Sequence, residues 1–160
     1  GRAPLDYAVQ RGKEAARLLI EAGAEVNQTN VRDWTTLHWT VKKAPSEVVE
    51  LLLAHGADPS PTTDAGVTPL HCASRADKAE TAAVLIGGGA DVNRPTNIGN
   101  TPLHEAAENG HPEVAKALLE AGADPTLTNR DGETPIEKAQ AATYGKPERV
   151  IELIRSTENG

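Results

Sequence analysis

The chain has 160 residues with 23 acidic and 16 basic side chains, and its formal net charge of −7 argues against nucleic acid as the partner. It contains neither Phe nor Met, which leaves Ala, Leu, Val and Ile to build the core. No apolar run approaches the ~20 residues of a membrane-spanning helix, so we expect no membrane insertion. The single cysteine, Cys72, excludes an intramolecular disulfide and favours a reducing compartment, the cytoplasm or the nucleus.

A tetrapeptide repeats along the chain at a constant interval. Thr-Pro-Leu-His, or a close variant of it, begins at Thr35, Thr68, Thr101 and Thr134, and each start lies 33 residues after the previous one. A fixed period of this size predicts a stack of similar supersecondary units rather than one conventional globular core.

The unit that begins at Thr101 shows how each repeat should fold. Thr101 is a good helix N-cap, and Pro102 suits the first helical position because that position needs no amide donor. Gly110 should end the first helix and Gly122 the second, since glycine accepts positive φ without a Cβ clash. The Asp-Gly turn at Gly132 then predicts a two-stranded finger that leads into the next unit.

These motifs resemble the ankyrin repeat. The resemblance rests on the period of 33, the Thr-Pro-Leu-His start, the central Gly110-His111 pair and the closing Gly-Ala-Asp at Gly122, and it covers almost the whole chain. It implies an all-α solenoid with β-hairpin fingers, built as a stack of helix-turn-helix-hairpin units. It also implies that the His of each tetrapeptide joins neighbouring loops by hydrogen bonds.

In chain order, the pattern divides one domain, residues 1–160, into five repeats with individual departures. The second repeat departs most, the third has Asp77 at the turn glycine, and the fifth has Glu137 in place of His and an insertion near residues 141–145. Because the chain lacks an initiator Met and opens partway through a repeat, we expect a fragment of a longer protein. The repeats are 1–29 (shortened at its start), 30–62, 63–95, 96–128 and 129–157 (a C-terminal cap).

No motif for catalysis or for metal or cofactor binding stands out. His38, His71 and His104 occur once per repeat, as a structural role requires, and stacking would hold them too far apart to share a zinc ion. Cys72 has only the structural His71 beside it as a base. We therefore expect no enzyme activity, no metal and no cofactor.

The resemblance implies binding of another protein or peptide, through finger tips and the exposed faces of the first helices. We expect a rigid monomeric scaffold that holds its partner in a concave face. Carried over by position, the candidate partner-binding residues are Val31, Arg32, Trp34, Lys42, Lys43, Arg75, Asn97, Ile98, Asn100, Glu108, Asn109, Arg130 and Glu133.

Trp34 is the strongest candidate for a partner-binding residue, because Trp and Arg dominate interface hot spots. With Arg32, Lys42 and Lys43 it predicts a patch for an acidic or mixed partner segment. The alternative is that Trp34 and Trp39 simply stack on each other or on a neighbouring repeat. Two other functions also remain open: a regulatory or targeting segment of a larger enzyme, channel or effector, and a spacer without a dedicated ligand.

Overall fold

The computed structural model describes residues 3–158, and over that range the chain folds into ten α-helices arranged as five consecutive pairs. The predicted helical stack is therefore confirmed. The helices are α1 Pro4–Arg11, α2 Lys13–Glu21, α3 Thr36–Lys43, α4 Ser46–Ala54, α5 Pro69–Arg75, α6 Ala79–Gly87, α7 Pro102–Glu108, α8 Pro112–Glu120, α9 Pro135–Ala141 and α10 Pro147–Glu158.

The helices form two layers. The first helix of each pair packs on the first helix of the next pair, giving the row α1, α3, α5, α7 and α9, and the second helices form a parallel row behind them. Leu5, Leu37, Leu70 and Leu103 occupy the same place in four successive first-layer helices and are almost completely buried. Each such leucine contributes about 2–3 kcal/mol through burial. Alanines between them allow close helix contact, so small and medium side chains suffice for a thin core.

The repeated tetrapeptide builds both a helix start and a link to the following loop. In the unit at Thr101, the Thr101 backbone N–H donates to His104 Nδ1 at 3.1 Å, so the proton of the neutral ring lies on Nε2. His104 Nε2 donates to the carbonyl oxygen of Glu133 at 3.0 Å. His38 and His71 make the same two bonds, with acceptors one unit further along the chain. The implied role of these histidines as links between loops is confirmed.

The predicted β-hairpin fingers are not confirmed. Within residues 3–158 the loops contain no β-strand, and Thr29 and Thr35 form an isolated antiparallel bridge. Each loop tip is a tight turn closed by two backbone bonds, such as those from Thr96 N–H to the Asn100 carbonyl oxygen and from Gly99 N–H to the Thr96 carbonyl oxygen, both at 2.9 Å. Among the described residues these bonds do not continue along the chain on either side of a turn, so no pair of strands forms.

Adjacent turns are stacked by backbone hydrogen bonds, such as that from Arg130 N–H to the Ile98 carbonyl oxygen at 2.9 Å. This close approach leaves no room for a side chain at Gly99, which has φ of 84° and where a Cβ atom would lie 2.9 Å from the Arg130 nitrogen. Asp33 adopts φ of 57° at the corresponding place in the first of these turns. Asp77 likewise adopts φ of 52°, as expected for its inter-helix turn.

We expect Gly99→Ala to lower the free energy of unfolding by about 2 kcal/mol or more, because the new methyl group combines unfavourable positive φ with a backbone clash. Gly132→Ala is the matched control. Gly132 has φ of 79° but open space around its Cβ direction, so only the conformational cost of about 1 kcal/mol should appear. Urea denaturation of both variants measures the difference, and equal losses would contradict the packing explanation.

Candidate functional site

The loop tips and the first-layer helices share one side of the stack, called here the loop-side surface. At its N-terminal part Trp34 lies in a loop directly against α3. Its ring centroid is 4.9 Å from that of Trp39 and 5.3 Å from that of His38. The two tryptophans therefore pack against each other, and Trp34 is half-buried rather than free at a tip.

One cation lies over this aromatic stack, and two more follow or precede it closely in the sequence. Lys42 Nζ lies 4.9 Å from the Trp34 ring centroid, a cation–π geometry, while Arg32 and Lys43 are exposed nearby in sequence. Among the described residues, the ion pairs involve other basic side chains, so none of these three cations lies in an ion pair. We call Arg32, Trp34, Lys42 and Lys43 the Trp34 patch.

Further along the same surface, charges are paired within the chain. Arg75 binds Glu105 through two bonds, Nε to Oε2 at 2.6 Å and Nη2 to Oε1 at 2.7 Å. Glu105 is only 3% exposed. Burial alone would raise the pKa of Glu105, but the bonds and charge of Arg75 outweigh it and lower that pKa. Arg75, predicted to contact a partner, thus holds a buried carboxylate from the next helix pair.

Glu105 was missed by the sequence analysis. The signal was available, because Glu105 follows the repeated His directly, at the position that Cys72 occupies one unit earlier. Cys72 is buried, so Glu105 should be buried as well. A buried carboxylate needs a cation close by, because burying an unpaired charge costs free energy, and Arg75 supplies that cation.

Asn100 was predicted to be exposed, and that prediction is wrong, since it is 4% exposed. Its amide donates to Glu105 Oε1 at 3.3 Å and accepts from Asn129 Nδ2 at 3.1 Å. Asn129 also donates to Glu133 Oε2 at 3.0 Å. Asn100 therefore belongs to a buried polar network between loops, because its short amide satisfies two neighbours at once.

Glu108 and Glu133 share one cation. Lys138 Nζ lies 3.0 Å from Glu108 Oε1 and 3.6 Å from Glu133 Oε2. Burial would lower the pKa of Lys138, but the two carboxylates outweigh it and raise that pKa. Glu108 and Glu133, both candidate partner-binding residues, therefore form ion pairs within the chain.

The remaining candidates lie at loop tips or beside the α7–α8 turn. Val31, Asn97, Ile98 and Arg130 are exposed at the tips. Asn109 is half-buried, and its side chain donates to the Glu105 carbonyl oxygen at 2.7 Å.

The insertion near residues 141–145 adds a residue that the sequence analysis did not single out. Tyr144 is 58% exposed, and its hydroxyl donates to Asn109 Oδ1 at 3.4 Å. Lys146 N–H donates to the Gly110 carbonyl oxygen at 2.7 Å and holds the insertion against the α7–α8 turn. The insertion therefore places an aromatic side chain beside Asn109, on the loop-side surface.

The side chains that could act as a nucleophile or a base, Cys72, His38 and His71, are buried. Burial raises the pKa of Cys72 to about 11, which keeps its thiol protonated, and lowers the pKa of His38 and of His71 to about 4. Across residues 3–158, no cluster of three His, Cys, Asp or Glu side chains has an arrangement that could hold a metal ion. What the loop-side surface offers instead is an unpaired cationic patch and an exposed aromatic.

Comparison with known proteins assigns the family. In the part of the chain that the structure describes, no helix is both long and apolar enough to cross a membrane. A comparison with curated proteins found no match. The model of the family described as "Ankyrin repeats (3 copies)" matches residues 1–63, 37–129 and 85–159. With these overlapping matches spanning nearly its full length, the chain belongs to the ankyrin-repeat family, whose members are generally protein–protein interaction modules.

Proposed function

We propose that this chain is a non-catalytic scaffold that binds a partner protein through an acidic, extended segment. The segment lies in the concave face along the loop tips, and its carboxylates contact the Trp34 patch. The observation that carries the proposal is a group of three basic side chains outside the ion pairs of the described residues, one of them held over an aromatic stack, in a chain whose net charge is −7.

The charges at the Trp34 patch contrast with those in the rest of the surface. Arg75 and Lys138 each form ion pairs with carboxylates of the chain, whereas Arg32, Lys42 and Lys43 form none within residues 3–158. Asp33, in the same loop, and Asp64, whose backbone N–H donates to the Arg32 carbonyl oxygen at 3.3 Å, offset two of the three charges, which leaves the patch positive by one. Opposite charge on the partner would speed association and select against basic segments.

The stacked aromatics give this patch rigidity. Trp34 is fixed by Trp39, and Lys42 is held above it, so a binding segment would lose little free energy in ordering them. Truncating Trp34 would also disturb the stack, and charge reversal at the lysines is therefore the cleaner probe.

We further propose a division into five repeats with the boundaries 1–29, 30–62, 63–95, 96–128 and 129–157, which agrees with five consecutive helix pairs. The module would act as a monomer in the cytoplasm or nucleus. The acidic surface outside the Trp34 patch favours a protein over nucleic acid as its partner.

Selection from a random-peptide display library tests the proposal directly. We expect the selected peptides to be rich in Asp and Glu. Their affinity should fall about tenfold or more for the double variant Lys42→Glu/Lys43→Glu, because like charges then face each other. Binding should also weaken with added salt, since exposed charges are screened.

The matched control is Lys13→Glu/Lys116→Glu, which makes the same change in net charge on exposed positions of α2 and α8 in the second layer. This variant should bind the selected peptides nearly as well as the unchanged chain. Recovery of no binding peptides, or equal losses in both double variants, would contradict the proposed function.

A further inference from the structure

A recess lies on the loop-side surface, between the loop tip at Ile98 and the insertion that carries Tyr144. Its volume is 430 Å³, and its walls come from α5, α7, α9 and these two loops. Ile98 is 57% exposed and Tyr144 58% exposed. Two of the few large apolar side chains that the described chain leaves in solvent therefore border the same recess.

The charges inside this recess cancel each other. Arg75 is bound by Glu105 through both oxygens of the carboxylate, and Lys138 is bound by Glu108 at 3.0 Å. A charged ligand group would have to compete with these contacts, whereas a neutral side chain would leave them intact. The recess thus differs in chemistry from the Trp34 patch, where cations are unpaired.

The recess is also held in shape before anything binds. The Gly110 carbonyl oxygen accepts from Lys146 N–H, and a Cβ at Gly110 would lie 2.6 Å from the Tyr144 carbonyl oxygen. This tight contact fixes the insertion against the α7–α8 turn. A preformed wall lowers the cost of ordering the protein when a ligand binds.

We propose that this recess takes one large apolar side chain, of the Leu or Phe type, from the same partner segment whose acidic residues occupy the Trp34 patch. The inference rests on the proposed function and adds to it a second anchor with a defined spacing. The acidic end binds α3 and its loop, and the apolar end covers Ile98 and Tyr144.

The fold sets the distance between the two anchors. From α3 to α7 there are two steps along the first layer, and packed helices lie about 8–10 Å apart, so the anchors are about 20 Å apart. An extended chain covers about 3.3–3.6 Å per residue. The partner segment should therefore place about six residues between its acidic block and its apolar residue.

Synthetic peptides test this inference by fluorescence anisotropy. Each probe carries a short block of Asp and Glu, a Gly/Ser spacer of about six residues and one Leu, and is made in both chain directions. In the better direction, replacing the Leu by Ser should weaken binding about tenfold, which is typical for burial of one large apolar side chain. Shortening the spacer to about two residues should weaken it to the same degree.

Protein variants show whether the Leu binds at the recess. For Ile98→Ser and Tyr144→Ser, the Leu and Ser peptides should bind almost equally. The control Leu18→Ser removes an exposed apolar side chain from α2 and should keep the tenfold preference for Leu. An unchanged preference in both recess variants would overturn the second anchor.

Two results separate failure of this inference from failure of the proposed function. If the peptides bind and depend on Lys42 and Lys43 but the Leu has no effect, the apolar anchor is wrong and the acidic-segment function stands. If neither peptide direction binds, or if binding ignores Lys42→Glu/Lys43→Glu, both are wrong.

Discussion

Replacing Arg75 with Met is expected to lower the free energy of unfolding by about 2–3 kcal/mol. The change leaves the Glu105 carboxylate buried without its cation, and breaking a buried ion pair typically costs about 3–5 kcal/mol. The smaller value expected here reflects the partial exposure of Arg75, whose side chain is 44% accessible to solvent. Urea denaturation near neutral pH measures the loss.

The double variant Arg75→Met/Glu105→Met should recover most of that stability, because it removes the stranded charge together with its partner. Arg17→Met is the control for loss of an arginine in an ion pair. Arg17 pairs with Glu14 and Glu21 in solvent, so its removal should leave stability nearly unchanged. A double variant as unstable as Arg75→Met alone would show that Glu105 is not the reason for the loss.

Acidification is expected to destabilise the fold before most carboxylates titrate. Burial lowers the pKa of His38 and of His71 to about 4, and it also lowers the pKa of His104. An unfolded histidine has a pKa of about 6.5, so the unfolded chain takes up protons first as pH falls. The stabilisation is complete above about pH 6.5 and decreases toward pH 4, by on the order of 3 kcal/mol for each of His38 and His71.

Hydrogen bonding at Nδ1 adds to the effect of burial on the pKa of His38 and of His71. In each, Nδ1 accepts a hydrogen bond from the backbone N–H of the preceding Thr, at 3.2 Å for His38 and 3.1 Å for His71. A proton on Nδ1 would point at that donor. Urea titrations between about pH 7.5 and 4.5 should show the fall in stability.

Variants separate the histidine contribution from other effects of acid. His71→Gln should be less stable at neutral pH but should lose less stability between about pH 6.5 and 5. His55→Gln, at an exposed position, should behave like the unchanged chain. Stability that is constant from about pH 7.5 to 5.5 would refute the explanation.

The helical architecture was predictable because the repeated residues act locally. A Thr-Pro pair starts a helix, and a residue that tolerates positive φ ends one, whatever the surroundings. Asp77 illustrates this, since it takes the left-handed turn conformation expected for glycine at its position. The period of 33 then predicted which leucines would share the core.

Contacts between units were harder to predict. Asn100 looks like a polar loop residue in sequence, yet Glu105 and Asn129 from two different segments draw it into a buried network. Tyr144 lies beside Asn109 because an insertion folds back on the α7–α8 turn. A periodic pattern does not predict the path of an insertion. The sequence could indicate Trp34 stacking only as one alternative, because the outcome depends on how the loop meets α3.

The histidine bonds have a direction. His38, His71 and His104 each donate to a carbonyl oxygen 29 residues further along the chain, while Glu137 at the same place in the last unit accepts from its own Thr134. Loss of the last helix pair removes the acceptor of His104 and leaves its imidazole N–H without that bond. Loss of the first helix pair breaks no bond of this series, because Asp6 stands at the histidine position there and accepts from the Thr36 hydroxyl instead. The series of imidazole bonds therefore opposes fraying at the C-terminal end of the stack and has no counterpart at the N-terminal end.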